Sequence, residues 1–424
     1  MNTEPTGGCV RGAWYHEPRS RAYLAVLILL PLLAAIAMAM LVPFSQPMPD
    51  YWRDAQQLVQ TGKITQHFVP SGYAAVTAVG MKLGRSHAVL GVEVEQVLLQ
   101  LAIVLLAWAL MRRLGATALG ALLGGLTIAM HPELLLSVTK VWDVSLSTLA
   151  LVLVVYLGLR LLSDGVSWGT LLLLNVALAV GCFDRANYAL LLLPLAFVLW
   201  QTRRKHAMAD KRLAARAMAL LLLTAGGYSL LSVAVYGSVV LPGNGPYNLY
   251  AGQNELSERA LLEHLNAEFS LVPSLRANHM QTAAADPHNL SLRTYYIHAS
   301  IEFAEKHPEE EVRLAVVKLY TFLRADTKLH GVHTGKGMIK LLLTAPIPFW
   351  LGTIWWSRTR GDVGWTGADT FVCLVAVVYV VPFLISNSDP RFRTPLDVLA
   401  IAQSAGLLTR GRRGLRDREP TGER

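Results

Sequence analysis

Uncharged apolar runs of ~20 residues recur from one end of this chain to the other, and no other feature restricts its fold as severely. In hydrocarbon every backbone N–H and C=O must be satisfied within the protein, so continuous runs of this kind become helices. Strands of a membrane barrel would alternate in polarity, and these runs do not. With 53% apolar and only 16% charged residues over 424 positions, the chain is too apolar for an ordinary soluble domain. The expected class is therefore all-α: a polytopic helical membrane protein with amphipathic external helices. The runs at 22–44, 89–111, 116–130, 144–162, 168–183, 187–200, 217–241, 339–356, 367–385 and 395–408 predict about ten transmembrane helices.

Charge supports an orientation. The net charge of +9 gathers at span ends, at Arg112-Arg113, Arg203-Arg204-Lys205, Lys211-Arg212, Arg358 and Arg360, and from Arg410 onward. Each cluster falls on the side assigned to the cytoplasm, as the positive-inside rule requires, so both termini are expected there. The same distribution excludes nucleic acid as a partner and makes membrane lipids the first one. The first run is longer than a signal-peptide core and reads as an uncleaved span. The organisation is a tail (1–21), a membrane domain (22–408) with external loops at 45–85 and 242–336, and a basic tail (409–424). Cys9, Cys182 and Cys373 are too scattered for a disulfide framework or a metal site.

The polar stretch 49–62 follows the first span directly. As a helix it places Tyr51, Ala55, Leu58 and Val59 on one face, and Asp50 and Asp54 one turn apart on a second. Two carboxylates on a surface helix suggest chemistry at the membrane boundary. The plainer reading caps the helix with Asp50 and leaves Asp54 solvated.

Other polar features belong to the same side. Asp184-Arg185 fills a tight turn between two apolar runs, as a functional pair or a local ion pair. The segment 242–255, rich in Gly, Asn and Pro, reads as a structured loop carrying Asn248, Tyr250 and Asn254, and 292–324 reads as helical. Arg391 and Arg393 lie at the outer mouth of the last span, where two guanidinium groups could grip a phosphate or simply meet headgroups. Lys336 adds charge near another span. His330 and His333 lack the glutamate of a zinc-protease pattern, and solvation at span ends suffices for Glu93, Glu95 and Asp143.

Taken in order, these motifs give the chain a resemblance. They are Asp50-Tyr51 through Gly62, Pro70-Ser71-Gly72-Tyr73, Arg185-Ala186-Asn187, Asn248-Leu249-Tyr250-Ala251-Gly252-Gln253-Asn254, His307-Pro308 to Lys318, and Arg391-Phe392-Arg393-Thr394-Pro395. The chain resembles the bacterial GT-C membrane glycosyltransferases of the protein O-mannosyltransferase and aminoarabinose transferase type, called glycosyltransferase family 39-like.

The resemblance implies a multi-pass plasma (inner) membrane enzyme with its active site on the external face. It would transfer a sugar, with inversion, from a polyprenyl-phosphate donor to a glycan, glycolipid or protein acceptor. Asp50, or else Asp54, would be the base. Arg391, Arg393, Arg185 and Lys336 would hold the lipid phosphate. Tyr51, Tyr73, Asn248, Tyr250 and Asn254 would meet sugar or acceptor. No cofactor is required, and a divalent metal is compatible with the chemistry. The competing readings are a polytopic transporter or lipid flippase, and a non-catalytic GT-C-like scaffold.

Overall fold

The computed structural model describes residues 18–46, 49–65, 69–206, 210–241, 244–254, 257–258, 290–323, 345–360, 365–386 and 390–410. These residues are almost entirely helical, with no strand among them beyond one isolated bridge between Ser45 and Lys140. Among the described residues, five helical segments are long and apolar enough to cross a membrane: Arg21–Leu41, Gly72–Arg113, Val144–Asp164, Ala215–Tyr236 and Gly367–Ile385. Trp168–Asp184 and Ala118–Ala129 are shorter apolar helices.

The helices in chain order are α1 (Pro18–Leu41), α2 (Pro49–Thr61), α3 (Gly72–Gly84), α4 (Ala88–Arg113), α5 (Ala118–Ala129), α6 (Pro132–Ser137), α7 (Val144–Asp164), α8 (Trp168–Asp184), α9 (Leu192–His206) and α10 (Asp210–Tyr236). There follow α11 (Asn244–Gly252), α12 (Leu290–Lys306), α13 (Pro308–Leu323), α14 (Pro346–Arg360), α15 (Gly367–Ile385) and α16 (Thr394–Thr409). Short 3-10 turns at Arg85–His87, Ala186–Leu191 and Pro390–Arg393 join some of them.

Helix α7 is the axis of the bundle. Its apolar window is 78% buried, against 17% for α1, so α7 lies inside and α1 lies on the flank. It packs on α4, α8, α9 and α16, and the main core runs through Trp108, Tyr188, Phe371 and Val398. Leu29, Leu33, Leu98, Leu172, Leu222 and Val377 stay exposed on the outer faces, a band of apolar surface suited to lipid.

Apolar α3 is 13 residues long, or about 20 Å, too short for a hydrocarbon core of about 30 Å. It folds back on α4 through the 3-10 turn, where Arg85 takes a left-handed conformation (φ +48°). The two helices meet at glycines: a Cβ on Gly91 would lie 2.2 Å from the Gly80 carbonyl oxygen.

The two ends of the bundle differ. At one end, Arg410 grips the buried Asp369 through both nitrogens (3.0 and 3.1 Å) and donates to the Leu114 carbonyl, tying together α16, α15 and α4. At the other end, a second apolar cluster of Tyr51, Tyr73, Val141, Phe183 and Tyr236 seats α2 over α3, α8 and α10. A strap at Ser45 pairs with the 139–141 loop (2.9 and 3.1 Å), drawing α2 and that loop to the same end.

Two expectations change. Residues 244–252 form a helix, α11, where the Gly and Asn content suggests a loop. Packing of Tyr247 and Tyr250 on Tyr296 of α12 (ring centroids 5.6 and 5.3 Å) outweighs those weak local preferences. The run 187–200 is not one continuous α-helix: it begins as the 3-10 turn and becomes helix at Leu192.

Candidate functional site

The site is built from the residues at the α2 end. Pro49 opens α2 at a position where its missing N–H is harmless, and Asp50 in the first turn complements the helix dipole. Gly62 closes it at φ +74°, donating to the Leu58 carbonyl (3.0 Å). The apolar stripe then lies inward, with Tyr51 and Ala55 buried.

That geometry separates the two carboxylates. Asp50 is partly buried, its side chain 18% exposed, and accepts from Arg53 (2.7 Å). Asp54 is 1% exposed, so it is not the solvated residue of the plainer reading. It sits beside the apolar stripe near Tyr236, whose hydroxyl donates to Ser71 (2.7 Å). Its Oδ1 has no hydrogen bond and only a long approach from Arg53 Nε (3.8 Å). Burial raises the Asp54 pKa from 3.8 to about 7; Arg53 lowers it somewhat and Asp50 raises it.

One turn earlier on α2, Tyr51 covers a buried charge cluster. Burial raises its pKa, the carboxylates of Asp143 and Asp184 raise it further, and the guanidinium groups of Arg391 and Arg185 oppose them. Asp143 precedes α7, Asp184 ends α8, Arg185 follows it, and Arg391 lies in the turn before α16. Arg185 meets Asp143 Oδ2 through Nε (2.9 Å) and Nη2 (2.7 Å). Its third nitrogen reaches the Tyr379 hydroxyl (3.5 Å), and its guanidinium carbon lies 4.5 Å from the Phe392 ring centroid. Arg391 lies over Trp142 and Phe392 (5.5 and 4.8 Å) and is 7% exposed.

Asp184 is not the partner of its neighbour Arg185. Its carboxylate faces the amino end of α3 near the Tyr73 N–H, and neither oxygen makes a hydrogen bond of full geometry among the described residues. Gly72 makes this contact fit: a Cβ there would stand 2.7 Å from the Asp184 Cα and N. The Pro70–Tyr73 motif is thus pressed directly on the Asp184-Arg185 turn.

The remaining predicted residues divide. Tyr73 is buried edge-on to Tyr51 (5.4 Å), and its hydroxyl accepts from Gln96 on α4 (2.5 Å). Arg393 turns away from Arg391. Its Nε pairs with Asp397 (3.0 Å) and its Nη1 donates to the Leu323 carbonyl. Tyr250 belongs to the tyrosine cluster on α12, Asn254 Nδ2 donates to the Tyr250 carbonyl (2.7 Å), and Asn248 is half-buried on α11.

Lys318 is buried and donates to the carbonyl of Ile385 at the end of α15 (3.1 Å), and burial lowers its pKa to about 8. Lys336, His330 and His333 lie outside the described residues. Among the described residues no three His, Cys, Asp or Glu side chains gather closely enough to hold a metal ion.

Asp143 is the residue that sequence reasoning undervalues. It lies at a span end, as expected, but solvation does not account for it: it is 4% exposed and paired with Arg185. Its only sequence signal is an acid placed between Trp142 and an apolar run.

Chemically, the arrangement offers a buried carboxylate able to exchange a proton near neutral pH, and two arginines held on aromatic faces beside two acids. No family model matches the chain, and no curated protein matches it.

Proposed function

We propose that this chain is a membrane glycosyltransferase of the GT-C type, which moves a sugar from a polyprenyl-phosphate donor to an acceptor at the α2 end of the bundle. The observation that carries the reading is Asp54, a buried carboxylate with a pKa of about 7, one turn from the Tyr51 lid on an arginine-bearing cluster. The ordered motifs of the sequence supply the reaction class.

In this reading about ten spans, by the length rule for membrane helices, place the α2 end outside and both termini in the cytoplasm. Asp54 takes the proton of an acceptor hydroxyl. The acceptor oxygen bonds to the anomeric carbon from the face opposite the phosphate. The bond from that carbon to the phosphate oxygen breaks, and its electron pair leaves with the lipid phosphate. A base whose pKa lies near the working pH is well matched to the first step. Asp54 is preferred to Asp50 because Asp50 is already neutralised by Arg53 at the surface.

Arg391 is the main cation for the leaving phosphate, and Arg185, anchored by Asp143, supports it. Arg393 serves the fold by neutralising Asp397. The test compares Asp54→Asn with Asp50→Asn in proteoliposomes supplied with radiolabelled polyprenyl-phosphate sugars. Loss of carrier release in the first alone supports the assignment. Phosphate efflux from the vesicles without sugar transfer would favour a transporter.

A further inference from the structure

Arg391 does not stand alone on the Trp142 indole. The Lys140 ammonium lies 4.9 Å from the centroid of the same ring that the Arg391 guanidinium carbon approaches to 5.5 Å. Phe392 continues the arrangement, with Arg391 at 4.8 Å and Arg185 at 4.5 Å from its centroid. Lys140, Arg391 and Arg185 are thus gathered on two aromatic rings at the α2 end of the bundle. The strap at Ser45 hydrogen-bonds to Thr139 and Val141, on either side of Lys140, and so fixes the backbone that carries it.

These cations are not equally compensated. Arg185 is held by Asp143 through two nitrogens. The Lys140 ammonium makes no hydrogen bond and no ion pair among the described residues, and the Glu133 carboxylate acts on it only through space. Lys140 is partly buried, and burial lowers its pKa against the pull of Glu133. A cation withdrawn from water and left without a contact partner calls for an anion.

The chemistry of the transfer step says which anion. A lipid phosphate linked to a sugar is a diester with one negative charge. When the bond to the anomeric carbon breaks, its electron pair leaves with the phosphate, which becomes a monoester with two negative charges. A cation beside Arg391 with no ion-pair partner of its own is matched to the charge that develops, and an interaction that strengthens during the reaction accelerates it.

We propose that Lys140, beside Arg391 on the Trp142 indole, is a further ligand of the carrier phosphate and balances the second negative charge which that phosphate gains as the sugar leaves. The assignment rests on the proposed transfer reaction for the identity of the anion, and its test needs no turnover.

The experiment uses the full chain in phosphatidylcholine nanodiscs at pH 8, where a phosphate monoester, with a second pKa of about 6, is doubly charged. Binding of radiolabelled farnesyl phosphate is competed by unlabelled farnesyl phosphate, by its methyl diester and by inorganic phosphate. The intact chain should prefer the monoester to the diester about ten-fold or more, as expected for one additional charge-assisted contact. Lys140→Met, which keeps the aliphatic stem on Trp142, should reduce that preference to less than about three-fold, and Lys140→Arg should restore it. Lys63→Met, which removes an exposed lysine bound to the Val233 carbonyl at the same end, should leave it unchanged. In the transfer assay Lys140→Met should lower kcat about ten-fold or more and change KM less. Equal binding of the two esters by the intact chain, a preference that survives Lys140→Met, or competition by inorganic phosphate as strong as by the lipid monoester overturns the assignment. Selective monoester binding without carrier release would leave it standing and refute the transferase reading alone; carrier release with an unchanged preference in Lys140→Met would do the reverse.

Discussion

Replacing Asp54 by Asn should make the protein more stable at neutral pH while removing its activity. The gap between 3.8 and about 7 corresponds to about 4 kcal/mol of differential interaction between the acid and its anion. The sign follows from proton uptake. A carboxyl with a raised folded-state pKa binds more protons folded than unfolded between those values, so its contribution to stability declines as pH rises between them. It is intact below about pH 4, falls by about 1.4 kcal/mol per pH step, and levels off above about pH 7. Asparagine carries no such dependence.

The difference between Asp54→Asn and the parent should therefore grow across that window to as much as about 4 kcal/mol in favour of the variant. Thermal unfolding of both proteins in one detergent, at half-unit steps from pH 4 to 8.5, measures it. A stability difference that does not change with pH, or a variant less stable than the parent at pH 8, refutes the argument.

Other expectations follow from the same geometry. The rate of sugar transfer should rise with pH through about 7 and then level off, and Asp54→Asn should lower it about 10²- to 10⁴-fold and erase that rise. Asp143→Asn leaves the Arg185 guanidinium buried without its counter-ion and should cost about 3–5 kcal/mol in chemical denaturation, less when Arg185→Met is added. Gly72→Ala drives a methyl into the Asp184 backbone and should destabilise by about 1–3 kcal/mol, lowering the midpoint of thermal unfolding. Arg393→Ala should reduce folded yield by stranding Asp397, whereas Arg391→Ala should keep its circular dichroism and lose carrier release.

The helical membrane class is legible in the sequence because hydrocarbon permits few alternatives, and spans such as Val144–Asp164 declare themselves by length. The inward stripe of α2 is legible too, since Tyr51 and Ala55 follow helical spacing. The burial of Asp54 beside that stripe is not, because it depends on how α2 settles on α3 and α10. Nor does the sequence pair Arg185 with Asp143, 42 positions away, in preference to the adjacent Asp184; only the packing of α7 against α8 decides that. Arg391 and Arg393 look equivalent as a motif, yet the turn before α16 points one at Trp142 and the other at Asp397. The helix at 244–252 defeats local propensity because its tyrosines find Tyr296 on a distant helix.

The measurement that bears most directly on the central claim is carrier release by the intact chain. Purified protein would be reconstituted with a mixture of radiolabelled polyprenyl-phosphate sugars and membrane-derived acceptors, and free polyprenyl phosphate would be followed with time. The account predicts catalytic release coupled to labelled acceptor, with inverted anomeric configuration in the product. Donor that remains intact across the full mixture, in protein whose fold is verified, would contradict it.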